Sequence, residues 1–271
     1  MKRTIALAFL CFSLTVQAQP EAFGPIALAL GGAAVTDSGP WSGFANPAGL
    51  TGVKQVSVVL GADRRVWLPG LETYGLGLTI PSGFGCIGLT VRQFGYTSYR
   101  EQSVSLLFAR QLSEQWTLGI GVDYLRLSIA DYGRRQTITG QVGLQFRPFD
   151  QLDIGMRIYN PFQAALSQDG EEAWPTLFSL GASYAPAAGL AFLAQVDKSL
   201  DGPLRVRCGL DYEVLNSLRL RAGFSTVPAT PHAGIGYRLK ALDLDVGAGF
   251  HPYLGIIPAV GFRWPAEKTE P

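Results

Sequence analysis

The chain has 271 residues with a formal net charge of +1; 47% are hydrophobic, only 16% are charged, and 33 are glycine. Near neutrality without runs of like charge excludes a nucleic-acid partner held by phosphate contacts. Beyond the N-terminus no apolar run approaches the roughly 18 residues that a spanning helix needs. A membrane role therefore requires a closed barrel, the one sheet that satisfies every backbone group in lipid.

Residues 1–18 have the layout of a secretory signal: Lys2 and Arg3, an apolar run over 5–16, and Val16-Gln17-Ala18 as a small-residue cleavage site. Cys11 lies inside that run with Ala8 three residues before it, which argues against a lipoprotein signal. Without Lys2 and Arg3, basic and acidic residues nearly balance.

Residues 19–52 come next. Their later part, LALGGAAVTDSGPWSGFANPAGLTG over 28–52, has neither a strand nor a helix period and carries Pro40 and Pro47. It is too apolar to float in water and too short to build a core. The expectation is a segment packed inside whatever the rest of the chain forms, with Leu30, Gly31, Gly32, Asp37, Trp41, Phe44, Asn46, Pro47, Ala48 and Gly49 as its plug residues.

From Val53 to Trp264 the sequence alternates with period two in segments of about ten residues separated by turn signals. Fourteen strands are predicted: 53–63, 71–81, 84–95, 99–112, 116–129, 135–148, 151–159, 175–186, 189–199, 203–214, 217–226, 230–240, 242–251 and 255–264. Residues 265–271 form a tail. Leu152/Ile154/Met156/Ile158 and Leu242/Leu244/Val246/Ala248/Phe250 show the pattern. Alternation alone fits a soluble sandwich as well as a barrel.

Connection lengths separate the two. Even-to-odd connections are short, as at Pro81-Ser82-Gly83, Pro148-Phe149-Asp150-Gln151 and Leu215-Asn216, whereas the odd-to-even set contains the longer 64–70 and 160–174. That parity predicts an all-β fold: a transmembrane antiparallel up-and-down β-barrel in a bacterial outer membrane, with both termini periplasmic. Trp67, Tyr74, Tyr96, Tyr99, Trp116, Trp174, Tyr253 and Trp264 fall near strand ends, where interfacial aromatic girdles belong.

With apolar residues toward lipid, the opposite phase lines the lumen: Asp123, Asp153, Arg157, Gln195, Arg205, Arg207, Asp211, Arg219, Arg221, Arg238, Asp243 and Asp245. These charges suit three roles: pairing across the lumen to prop it open, selecting or repelling a solute at a constriction, or holding the N-terminal segment. The same phase puts Cys86 inside and Cys208 outside, so no disulfide is expected.

No catalytic constellation is visible. His232 and His251 form neither a metal-binding pair nor a His-x-Ser arrangement, and Ala27 to Gly32 lacks the lysine of a phosphate-binding loop. Neither enzymatic activity nor a cofactor nor a metal site is expected.

Ala29-Leu30-Gly31-Gly32-Ala33, Asp37 and Phe44-Ala45-Asn46-Pro47-Ala48-Gly49-Leu50, followed by about fourteen strands, resemble the FadL-like outer-membrane superfamily, most of all its PorV/PorQ-type members from Bacteroidota. The resemblance implies a fourteen-stranded barrel whose N-terminal segment plugs the lumen. FadL proteins pass hydrophobic solutes; PorV-type relatives act as partner subunits in type IX secretion. Asn46 would anchor the turn before Pro47, and Gly49 would allow a close approach to the wall.

The external loops are short for a solute-uptake member. The expectation is therefore a non-enzymatic accessory subunit of an outer-membrane secretion or assembly complex, bound to outer-membrane lipid and other proteins of such a complex. The alternative is a plug-gated passive transporter of hydrophobic or small solutes.

Overall fold

A computed structural model describes residues 22–64, 70–165 and 174–265. The signal segment, most of the 64–70 loop with Trp67, the middle of the 160–174 loop and the tail after Pro265 lie outside the described residues. A one-turn helix α1 (Pro25–Ala29) and two 3-10 turns, Pro40–Phe44 and Pro47–Gly52, precede fourteen strands. These are β1 (Ser57–Arg64), β2 (Glu72–Ser82), β3 (Gly85–Tyr96), β4 (Tyr99–Gln111), β5 (Trp116–Ile129), β6 (Gly133–Phe149) and β7 (Leu152–Tyr159). The rest are β8 (Leu177–Ala187), β9 (Leu190–Ser199), β10 (Leu204–Leu215), β11 (Leu218–Thr226), β12 (Ala229–Arg238), β13 (Asp243–His251) and β14 (Gly255–Trp264).

Each strand pairs antiparallel with its sequence neighbours, and β1 pairs with β14 to close the barrel. All fourteen predicted segments are strands, with ends shifted by a few residues at most except at the start of β1. Val53 to Val56 form no strand; they carry the chain from the second 3-10 turn to the wall.

The apolar phase faces outward. Leu60, Leu76, Leu106, Val122, Ile138 and Leu180 are each more than 40% exposed, as a wall dissolved in lipid requires. Water would penalise such a surface, because soluble monomers rarely expose contiguous apolar patches beyond a few hundred Å². No described helix is long and apolar enough to cross a membrane.

Trp116 stacks on Phe146 with ring centroids 4.2 Å apart at one end of the wall, and Tyr74, Trp116 and Trp264 point outward, as girdle residues should. Tyr99 does not: it sits on the inner phase opposite Tyr96, and its hydroxyl bonds Glu101. Trp174 is also half-buried rather than displayed to lipid.

The inner phase is polar or small. Cys86 lies there, buried, while Cys208 faces outward, and both thiols are free. Two-residue turns close β2–β3, β6–β7, β8–β9 and β10–β11 at one end, here the turn end. The 65–71 and 160–176 connections lie at the other, the loop end.

Candidate functional site

The N-terminal segment enters the barrel rather than covering it. Helix α1 packs against β11 to β14, the first 3-10 turn against β1 to β3, and the second against β3 to β6. Residues 39–50 are all buried, and Ala29 and Ala48 are 0% exposed. Phe23, Trp41 and Phe44 form one aromatic knot, with Phe23 and Phe44 edge-to-face at 5.0 Å. Leu50 and Val53 pack on Leu107, Ala109 and Cys86 of the wall.

What lets so much chain fit is a belt of inward glycines. A Cβ on Gly119 would lie 2.3 Å from the Ala48 nitrogen, and one on Gly223 would lie 2.2 Å from the Gly31 nitrogen. At Gly155 the nearest atom would be the Val35 carbonyl oxygen at 2.4 Å, and at Gly247 the Pro25 carbonyl oxygen at 2.5 Å. These clashes are with backbone, which cannot swing aside as a flexible side chain can. The wall has therefore been pared to hydrogen where the segment's main chain runs past it. Sequence reading treats these glycines as filler between charged positions; their recurrence on the lumen phase of strand after strand is the signal it passes over.

Three wall side chains and the segment's own Asn46 tie down its backbone. Gln195 Oε1 accepts from both Ala34 N and Val35 N, at 2.8 and 2.9 Å. Arg207 Nη1 donates to the Gly31 carbonyl at 3.2 Å. Gln145 Nε2 donates to the Asp37 carbonyl at 2.9 Å. Asn46, itself 0% exposed, accepts from Ala48 N at 3.1 Å and donates to the Val35 carbonyl at 2.7 Å. The Asn46 oxygen thereby caps the second 3-10 turn, with Pro47 in the first position where its missing N–H costs nothing.

Gly49 is placed differently from expectation. The atoms nearest an ideal Cβ there are the Asp37 carbonyl oxygen at 2.0 Å and the Ser42 side chain, so its missing side chain lets the segment fold on itself. Leu30 packs on Gly209, Gly31 and Gly32 have φ of 67° and 85°, and Trp41 reaches Gly61 and Gly261. Asp37 is only half-buried.

The lumen charges lie on the inner phase and largely pair with one another. Arg207 meets Asp197 at 2.5 Å, and Gln195 Nε2 donates to Asp197 at 2.8 Å, joining the two clamps into one unit. Arg221 bridges Asp245 at 2.6 Å and Asp211 at 3.4 Å, while Arg219 meets Asp211 and Glu213 at 3.2 and 2.8 Å. Asp243 takes Arg238 at 3.2 Å and also Arg263. Asp123 accepts from Gln141 at 2.9 Å and from Ser105, and Arg157 reaches the other end of Gln141 at 3.0 Å. Asp153 pairs with Arg147 near the turn end, and Arg205 lies toward the loop end.

Gln141, Gln145 and Arg263 are members that sequence reading leaves out, although all share the phase of their charged neighbours. No group of three or more metal-ligating acids, histidines or cysteines occurs among the described residues.

Two of the cavities beside the segment lie on opposite sides of it. A cavity of about 100 Å³ on the loop side has Leu28, Val227, Pro228 and Ile257 on its apolar part and Asp63, Arg205, Arg207, His232 and His251 on its polar part. A second, of about 130 Å³, opens on the turn side among Ile26, Asp37, Arg219, Arg221, Arg238, Asp243 and Arg263. Leu28 and Ile26, two residues apart on α1, face opposite chambers.

No family model matches the chain, and no curated protein matches its sequence. Solved structures do match in shape. The monoaromatic hydrocarbon channel CymD superposes with a TM-score of 0.70 at 13% identity, covering 91% of this chain and 98% of that one. The toluene transporter TbuX of Ralstonia pickettii gives 0.69 at 14% identity over 92% and 99%. A FadL homologue from Pseudomonas aeruginosa gives 0.63 at 12% over 89% and 98%.

At these identities the likeness is one of fold: the chain closes into the same kind of barrel as these structures. The expectation of an accessory subunit in type IX secretion is corrected by the same finding. The similar structures include a hydrocarbon channel and a toluene transporter, and the short loops that prompted the expectation do not outweigh that.

Proposed function

We propose that this protein is a passive outer-membrane transporter for small, apolar or weakly polar solutes, gated by its N-terminal segment, with both termini periplasmic. The observation that carries the reading is a pair of cavities, one toward each end of the barrel, on either side of the chain that Gln195 and Arg207 clamp between Ile26 and Val35. Hydrocarbon transport by proteins of the same fold supports it.

The loop-side chamber suits such a solute. Its apolar lining comes from Leu28, Val227, Pro228 and Ile257, and its volume, about 100 Å³, is on the scale of one aromatic ring. It holds no long groove for an acyl chain. The turn-side chamber is walled by charges that neutralise each other within the wall, so a leaving solute meets hydrogen-bonding surface without a strong field of either sign.

Apolar solutes cross phospholipid bilayers unaided, so the test needs an intact outer membrane. Uptake of a labelled single-ring hydrocarbon at low concentration is compared in cells with and without the protein. Faster uptake with the protein supports transport; equal rates contradict it.

A further inference from the structure

Strands β4, β5 and β6 have 13, 14 and 17 residues against 8 to 10 in β7, β9 and β11 to β14, so this side of the wall rises higher at the loop end. The register gives the outward residues of the raised part level by level. Val104, Tyr124 and Ile138 form one level; Gln102, Arg126 and Gln136 the next; Arg100, Ser128 and Arg134 the one above. The apolar wall thus ends at Tyr124, whose hydroxyl donates to Gln136 at 2.7 Å, and three arginines begin immediately above it.

Arg126 is the diagonal neighbour of both Arg100 and Arg134, a relation that puts Cα atoms about 7–8 Å apart, with Ser128 between them. No ion pair joins any of the three to an acid among the described residues. Glu72, toward the same rim, is held by Arg64, and Glu101 is turned to the inner phase, where Tyr99 bonds it. On the opposite side the outward residues stay apolar to the rim, as at Phe224 and Phe250. A cluster of unpaired like charges repels itself, and at the lipid surface it gains most from an anion at headgroup depth.

We infer that Arg100, Arg126 and Arg134 bind the phosphate of a phosphorylated membrane lipid whose acyl chains lie on the apolar wall below. Guanidiniums converge on the phosphate oxygens while Val104, Tyr124 and Ile138 hold the chains, so both halves of one molecule are recognised. In the orientation proposed above, this face meets the outer leaflet.

The test uses the full-length barrel in neutral detergent, titrated with a diphosphorylated glucosamine lipid and followed by native mass spectrometry. Arg100→Gln/Arg126→Gln/Arg134→Gln is compared with Lys198→Gln, an outward cation elsewhere on the loop-end rim. The expected result is at least a tenfold loss of lipid retention in the triple variant, little change in Lys198→Gln, and failure of the dephosphorylated lipid to bind either protein. Equal retention by the triple variant, equal loss in Lys198→Gln, or displacement by inorganic phosphate at the lipid's own affinity overturns the inference. Arg126→Gln alone, expected to lose retention partially, covers a triple variant that does not fold. Because binding is read in detergent, its outcome is independent of whether the barrel transports anything.

Discussion

Truncating Gln195 is the sharpest perturbation of the gate. Its Oε1 is the acceptor for two adjacent amides, Ala34 N at 2.8 Å and Val35 N at 2.9 Å, and both residues are buried, at 5% and 3% exposure. In Gln195→Ala each amide loses its partner, at about 1–3 kcal/mol for an unsatisfied buried donor. Water entering the vacated space offsets part of this, so about 2 kcal/mol of the closed state's advantage is lost. Since four decades of population correspond to about 5.5 kcal/mol, the ratio of open to closed forms rises roughly 30-fold. Single-channel recording in planar bilayers reads that ratio as the fraction of time spent conducting. A lower melting temperature with an unaltered conducting fraction would refute the reasoning: the clamp would then stabilise the barrel without holding a gate.

Other substitutions probe the same account from different sides. Gly119→Ala drives a methyl into the Ala48 backbone and should displace the second 3-10 turn at about 1–3 kcal/mol, seen as new protease cleavage between residues 44 and 52; Gly83→Ala, with open space around it, should leave digestion unchanged. Asn46→Ala removes a turn cap at about 1 kcal/mol together with the bond to the Val35 carbonyl, and Asn46→Asp should melt lower still, because a carboxylate then faces that carbonyl oxygen. Val122→Arg, 57% exposed on the outer wall, should cost about 2–4 kcal/mol in bilayer unfolding titrations if the wall faces lipid. A neutral result at that position would argue for water outside the barrel.

Much of this was readable from the chain because lipid imposes simple rules. Period two fixed the strand phases, so Cys86 inside and Cys208 outside followed, and turn lengths separated a barrel from a sandwich. The burial of residues 28–52 was legible as a mismatch between composition and solvent. Which atoms hold that segment was not: an inward glycine such as Gly119 or Gly223 reveals its purpose only when the backbone passing it is known. Gly49 shows the same difficulty in reverse, since a tight approach within the segment and one to the wall leave the same residue in the sequence. Function was hardest, because a secretion subunit and a solute channel built on one barrel share every feature that lipid selects. Loop length was too weak a signal to choose between them.

Locking the segment to the wall tests gating most directly. The ideal Cβ of Gly209 lies 3.1 Å from the Leu30 Cβ, slightly inside the range of about 3.5–4.5 Å for disulfides, so Leu30→Cys with Gly209→Cys should bridge after a small separation. Cys86 and Cys208 are replaced by alanine to leave one possible pair. Cells producing this protein are assayed for single-ring hydrocarbon uptake when oxidised and again after reduction. The account predicts that oxidation abolishes uptake and reduction restores it; equal uptake in both states would show that solute passes without moving the segment.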